Sequence, residues 1–238
     1  MLFIKDSYIK EFNAKILNIN LNQIILDQTA FYARSGGQPG DTGQLNINRN
    51  TINIIDTIKD QKNCIIHISE NNIKLTIGEK VRGNINWNKR YKHMRMHSAL
   101  HLLCSVIPLD VTGGQIGYDK SRLDFNAQDY KIDKEEIEHK INNLVKEDHV
   151  ISYQWITNNE LEQQPELVRT MSVQPPKIKG KIRLVKIGNI DLQPCGGTHV
   201  KSTGEIGEIK IGKVENKGKM NRRVNLIIND LESDLKKV

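Results

Sequence analysis

Residues 88–107 read NKRYKHMRMHSALHLLCSVI, a run that meets no glycine or proline until Pro108. Met96, Leu100, Leu103 and Ile107 recur at helical spacing, so the stretch predicts an amphipathic helix. His97 and His101 lie one turn apart on it and therefore project from the same side. The character of the chain changes here.

Upstream, the patterns have period two. AKILNINLNQIILD alternates apolar and polar residues about a turn near Asn22, and GQLNINRNTINIID repeats this about Arg49 and Asn50. CIIHI and KVRGNINW add further short runs. Several short strands with polar turns and no helical pattern predict a small barrel or sandwich over residues 1–88. Downstream, residues 89–238 predict an α+β domain. A second helix is expected from about Lys134 to Asp148, with Asp133 and Glu136 as a capping pair and Ile137, Ile141, Leu144 and Val145 as its stripe. A short helix should follow Thr157 and break near Pro165. KIRLVKIGNIDL, EIGEIKIGKVEN and RRVNLIIND then read as glycine-punctuated strands.

The chain has 238 residues and carries a net charge of +7, which suits a polyanionic partner, although Lys, Ile and Asn are enriched throughout. No apolar run approaches the ~20 residues needed to cross a bilayer. The start, MLFIKDSYIKEF, turns charged too soon for a signal peptide, so a cytoplasmic protein without membrane contact is expected. Cys64, Cys104 and Cys195 are too scattered for a disulfide framework.

Only Cys195 has metal-like neighbours. It opens C195-G-G-T-H199, in which thiolate and imidazole are good zinc donors and the glycines permit a tight turn. With H97-S-A-L-H101 it completes a tetrahedral set, so zinc is the expected ion, held by His97, His101, Cys195 and His199. The histidine pair has the spacing of a zinc-protease helix, but Ser98 stands where that chemistry needs a glutamate base. Two glycine-rich segments remain. R34-S-G-G-Q-P-G-D-T-G43 could bring backbone N–H groups to a phosphate or carbonyl through Gly36, Gly37 and Gln38, or could be a bulged hairpin. V111-T-G-G-Q-I-G-Y-D119 carries the polar Gln115 between glycines.

Taken in order, FYARSGGQPGDTG, HSALH, VTGGQIGYDKSRLDF, CGGTHV, STGEIG and KGKMNRRVNL resemble the editing region of alanyl-tRNA synthetase and its free-standing AlaX-type relatives, nearest the medium-length class. The resemblance implies a translation-factor-like N-terminal barrel and an α+β editing domain of the threonyl/alanyl-tRNA synthetase type. It implies trans-editing: hydrolysis of serine, and second of glycine, from mischarged alanine tRNA. It gives the four metal positions the zinc-ligand role, places Gln115 at a polar active-site position, and places Thr29 where the family has a hydroxyl facing the serine side chain.

An aminoacyl ester is already activated, so a positioned water and a polarised carbonyl suffice. Four protein ligands nevertheless make a closed set, whereas catalytic zinc usually keeps one position open. A hydroxyl at Thr29 can select serine over alanine but not glycine, which has no hydroxyl to bind. For tRNA phosphates the candidates are Lys89, Arg90, Lys92 and Arg95 at the helix start, and Lys217, Lys219, Arg222 and Arg223 near the C-terminus. The rival reading is a non-catalytic zinc-containing tRNA-binding module.

Overall fold

The structure is a computed structural model that describes residues 1–48, 50–128, 130–169, 177–178 and 180–229. It is mixed α+β and divides into two compact units, Met1–Lys92 and His93–Val238.

The first unit is built on a closed six-stranded barrel. Its strands are β1 (Glu11–Asn20), β2 (Gln23–Leu26), β3 (Gly43–Ile47), β4 (Asn50–Lys59), β5 (Ile65–Ser69) and β6 (Lys80–Ile85), in the order β1-β2-β5-β4-β3-β6. Alternation in β1 turns Phe12, Ala14 and Ile16 inward, and β6 answers with Val81 and Ile85. Phe12 and Phe31 meet edge to face at 5.8 Å in the centre. Gly83 makes room for them, since a Cβ there would fall 2.4 Å from the Phe12 ring. The first expected turn falls at Leu21 and Asn22, and the second begins at Asn48, with Leu21 and Asn48 both at positive φ. Of the pair expected at the second turn, Asn50 already opens β4 and Arg49 lies outside the described residues.

Helix α1 (Trp87–Val106) begins in this unit. Trp87 and Tyr91 stack at 5.5 Å, and Tyr8 lies against both. Arg90, fully buried, donates to Asp41, to the Ser7 carbonyl (2.9 Å) and to the Ala30 carbonyl (2.6 Å). Asp41 also accepts from the Tyr32 N–H at 2.6 Å. One guanidinium thus joins three otherwise separate segments to the helix.

This corrects the expectation of a basic phosphate-binding face at the helix start. Arg90, Lys92 and Arg95 are all buried, and Arg95 Nε donates to the Ile206 carbonyl at 2.8 Å within the second unit. The charges that read as a solvated cluster are structural. The single apolar stripe expected of α1 is also too narrow, because every residue from Lys92 to Cys104 is buried.

The second unit holds two four-stranded sheets. After α1 come β7 (Val111–Gln115), β8 (Ser121–Asn126), α2 (Lys134–Lys146), β9 (Ile151–Ile156), α3 (Asn158–Glu162), β10 (Lys177–Ile178), β11 (Lys181–Ile187), β12 (Asp191–Pro194), β13 (Ile209–Lys217) and β14 (Asn221–Ile228). One sheet runs β13-β14-β8-β7; in the other β11 pairs with β9, β10 and β12. Asp133 caps α2 by accepting from the Glu135 and Glu136 N–H groups, while the Glu136 side chain pairs forward with Lys140. Thr157 and Glu160 form a capping box at α3, and Pro165 opens a separate 3₁₀ turn. No helix among the described residues is long and apolar enough to cross a membrane.

Candidate metal centre

Helix α1 supplies His97 and His101, and the segment after β12 supplies Cys195 and His199. Their donor atoms all lie within 4.8 Å of one another, and all four side chains are buried. Cys195 Sγ stands 3.4 Å from His97 Nε2 and 3.3 Å from His199 Nε2. Tetrahedral zinc would separate a thiolate from an imidazole nitrogen by roughly 3.5 Å. Buried imidazoles and a thiol facing one another across this spacing fit a metal ion, and the cluster can hold one.

The chain around Cys195 is fixed from β11. Fully buried Arg183 donates from Nε to the Cys195 carbonyl (2.9 Å) and from Nη2 to the Gly197 carbonyl, while the Cys195 N–H donates to the Arg183 carbonyl (3.0 Å). The guanidinium also lies over the Tyr153 ring at 4.6 Å. Its Nη1 is buried with no hydrogen-bond partner among the described residues. The two-glycine turn is therefore held by its carbonyls.

The surroundings shift three of the donors in different directions. Burial opposes ionisation of Cys195, but the neighbouring His97, His199 and His101 outweigh it and hold the thiol well below its ordinary range. Burial holds His199 well below 6.5, in the neutral form a ligand needs. At His101 burial is overcome by the hydrogen bonds and charges of Asp191 and Cys195, which raise it to about 10, so an ion bound at Nε2 would displace a proton from that nitrogen. Cys104 is pushed up to about 12, chiefly by burial, and stays a thiol.

Sequence reasoning missed Asp191, Gln193, Arg183 and the role of Ser98. Asp191 Oδ2 is 2.7 Å from His101 Nδ1 and 2.8 Å from Gln193 Nε2. Ser98 Oγ is 3.3 Å from His199 Nδ1 and accepts from the Val200 N–H at 3.3 Å. The signal for the first pair was present: in D191-L-Q-P-C195 a period-two strand places Asp191, Gln193 and Cys195 on one side.

Each of the other candidates has its own immediate neighbours. Gln115, exposed at the end of β7, accepts from Arg122 Nε at 3.3 Å. Thr29 is buried in the barrel unit, where its hydroxyl meets His67 and the Phe31 N–H. Gly36 and Gly37, both at positive φ, form the exposed tip of a turn closed by backbone bonds between Ser35 and buried Gln38. On β14, Arg223 binds Asp124 through two nitrogens (2.7 and 2.9 Å), and Arg222 donates to the Gln128 carbonyl at 3.2 Å.

The fold and the cluster define an α+β chain with a buried three-histidine, one-cysteine centre. Two family descriptions match it: the threonyl and alanyl tRNA synthetase second additional domain over residues 182–225, and tRNA synthetases class II (A) over residues 3–89. An alanyl-tRNA editing protein AlaX-M from Methanosarcina mazei is 37% identical, across 99% of this chain and 98% of its own length. Another, from Saccharolobus solfataricus, is 38% identical across 94% of this chain and 96% of its own length. An alanine–tRNA ligase from Pyrococcus abyssi is 38% identical across 90% of this chain but only 24% of the ligase. The chain belongs to the AlaX family of alanyl-tRNA editing proteins.

Proposed function

We propose that this chain is a trans-editing aminoacyl-tRNA deacylase. It hydrolyses Ser-tRNA(Ala), and second Gly-tRNA(Ala), with a zinc ion held by His97, His101, Cys195 and His199. The observation that carries this reading is the convergence of those four donors in a chain colinear with free-standing editing proteins. Residues 1–88 serve as a barrel domain of the translation-factor kind, and residues 89–238 as the deacylase domain.

Bound there, zinc supplies a Lewis acid for the ester carbonyl. The protein's own groups do the rest. Arg122 donates to the Gln115 side-chain oxygen, and the amide N–H groups of Gln115 orient the ester or the attacking water. Thr29 offers a hydroxyl oxygen to the serine hydroxyl, and selection against alanine follows from that partner. Gly36 and Gly37, with Gln38 closing their turn, offer backbone to the acceptor end. Arg222 and Arg223, with exposed Lys219 beside them on the β13–β14 hairpin, meet tRNA phosphates.

The test is deacylation of Ser-, Gly- and Ala-tRNA(Ala) side by side, with zinc-loaded and chelated protein. Ser-tRNA should be hydrolysed fastest, Ala-tRNA spared, and activity lost on chelation. Protein that holds zinc and binds tRNA but hydrolyses none of the three would instead be a non-catalytic zinc-containing tRNA-binding module.

A further inference from the structure

Two of the ligand histidines have very different neighbours on their far nitrogens. His101 Nδ1 faces a carboxylate, Asp191 Oδ2, at 2.7 Å, with side chains only 6% and 3% exposed. Gln193 Nε2 donates to the same oxygen at 2.8 Å and also lies 3.0 Å from His101 Nδ1, so one amide bears on both members of the pair. Among the described residues, His199 Nδ1 faces the neutral Ser98 hydroxyl, at 3.3 Å. We propose that Asp191 is a positioning residue that makes His101 the anchoring ligand of the centre, with His199 the more weakly held one. The inference rests on the metal reading above.

A carboxylate can only accept, so it keeps the His101 proton on Nδ1 and leaves the Nε2 lone pair for the ion. A histidine that donates to an anion is a stronger donor to a metal than one that donates to a hydroxyl. Finally, the cluster itself holds one thiolate against a divalent ion, and Asp191 adds a second negative charge directly behind a ligand without occupying a coordination position. Ser98 meets the same geometric need at His199 but adds no charge. The four donors are therefore unequal, and an unequal set can give up one member, which a symmetric closed site cannot.

Zinc affinity decides this, measured on the full chain by competition with a chromophoric chelator, so that no activity readout is involved. Asp191→Asn should weaken zinc binding by about 10- to 100-fold, and Ser98→Ala by clearly less. Melting of the zinc-free variants separates positioning from folding, because a merely structural aspartate would lower the apo melting temperature and leave the affinity alone. Should Asp191→Asn not fold, Gln193→Leu keeps both carboxylate and imidazole and removes only the amide that aims them. It should still weaken zinc binding severalfold. Affinity within twofold of the parent in every folded Asp191 or Gln193 variant overturns the proposal, as does a larger loss in Ser98→Ala than in Asp191→Asn. A parent chain that binds no zinc overturns the metal reading itself, which is a separate result.

Discussion

The Thr29 hydroxyl lies 2.8 Å from Nε2 of His67, whose other nitrogen, Nδ1, lies 3.1 Å from the Ile24 carbonyl. A carbonyl only accepts, so Nδ1 carries the ring proton and Nε2 is bare. Thr29 therefore donates to His67, accepts from the Phe31 N–H at 3.0 Å, and keeps one lone pair. A lone pair is what the proposed reading of a serine hydroxyl needs, and the same hydroxyl braces the segment leading into the glycine-rich turn.

Replacing Thr29 with valine preserves shape and removes all of this. If the remaining lone pair reads serine, Ser-tRNA deacylation should fall at least tenfold while Gly-tRNA deacylation changes much less. The two lost hydrogen bonds should also cost about 1–3 kcal/mol of stability, so melts and rates are compared on folded protein. Equal losses on both substrates would show that Thr29 only braces the segment.

His67 is fully buried, and burial holds it down from 6.5 to about 4. A histidine lowered on folding stabilises the neutral state. Its contribution is complete above pH 6.5 and is lost as pH falls from 6.5 through 4, about 3 kcal/mol in all. Unfolding measured from pH 7.5 to 4 should show this slope, and His67→Gln should flatten it. The same slope in both proteins would assign the acid sensitivity to other groups.

Arg90 and Asp41 form a fully buried pair. Arg90→Ala leaves a buried carboxylate without its main partner and should cost about 3–5 kcal/mol of stability. The salt dependence of tRNA binding should not change in protein that remains folded. A shallower salt slope would return Arg90 to the tRNA-facing set from which its burial removes it.

Arg222 and Arg223 should separate. Arg223 answers Asp124, so Arg223→Glu places like charges together and should destabilise the β8–β14 pairing. Arg222→Glu should fold, raise the tRNA concentration for half-maximal rate, and reduce the salt slope by about 1 or more. Unchanged binding and slope would place the tRNA elsewhere.

Much of the fold was legible where one physical signal dominated. The period-two runs became β1 to β6, and Asp133 and Thr157 marked the starts of their helices. β7 was not legible, because VTGGQ carries two glycines that argue against a strand. One of them has a packing reason that appears only in three dimensions, since a Cβ at Gly114 would fall 2.9 Å from Leu123. The metal cluster was legible because its ligand types are rare and their local spacings are short. Asp191 stood on the same strand side as Cys195 without a ligand-type spacing to mark it, and Ser98 gave no sign of its partner 101 residues away. The basic run at Lys89–Arg95 misled because charge in a sequence does not reveal a buried acceptor such as Asp41.

The proposed zinc site stands or falls on whether His97, His101, Cys195 and His199 together retain one ion. Elemental analysis of protein purified without added metal, beside Cys195→Ser, tests it most directly. The account predicts about one zinc per parent chain and a large loss in the variant, because the thiolate is the only anionic ligand. A parent chain without zinc, or a variant that keeps the full complement, would contradict it.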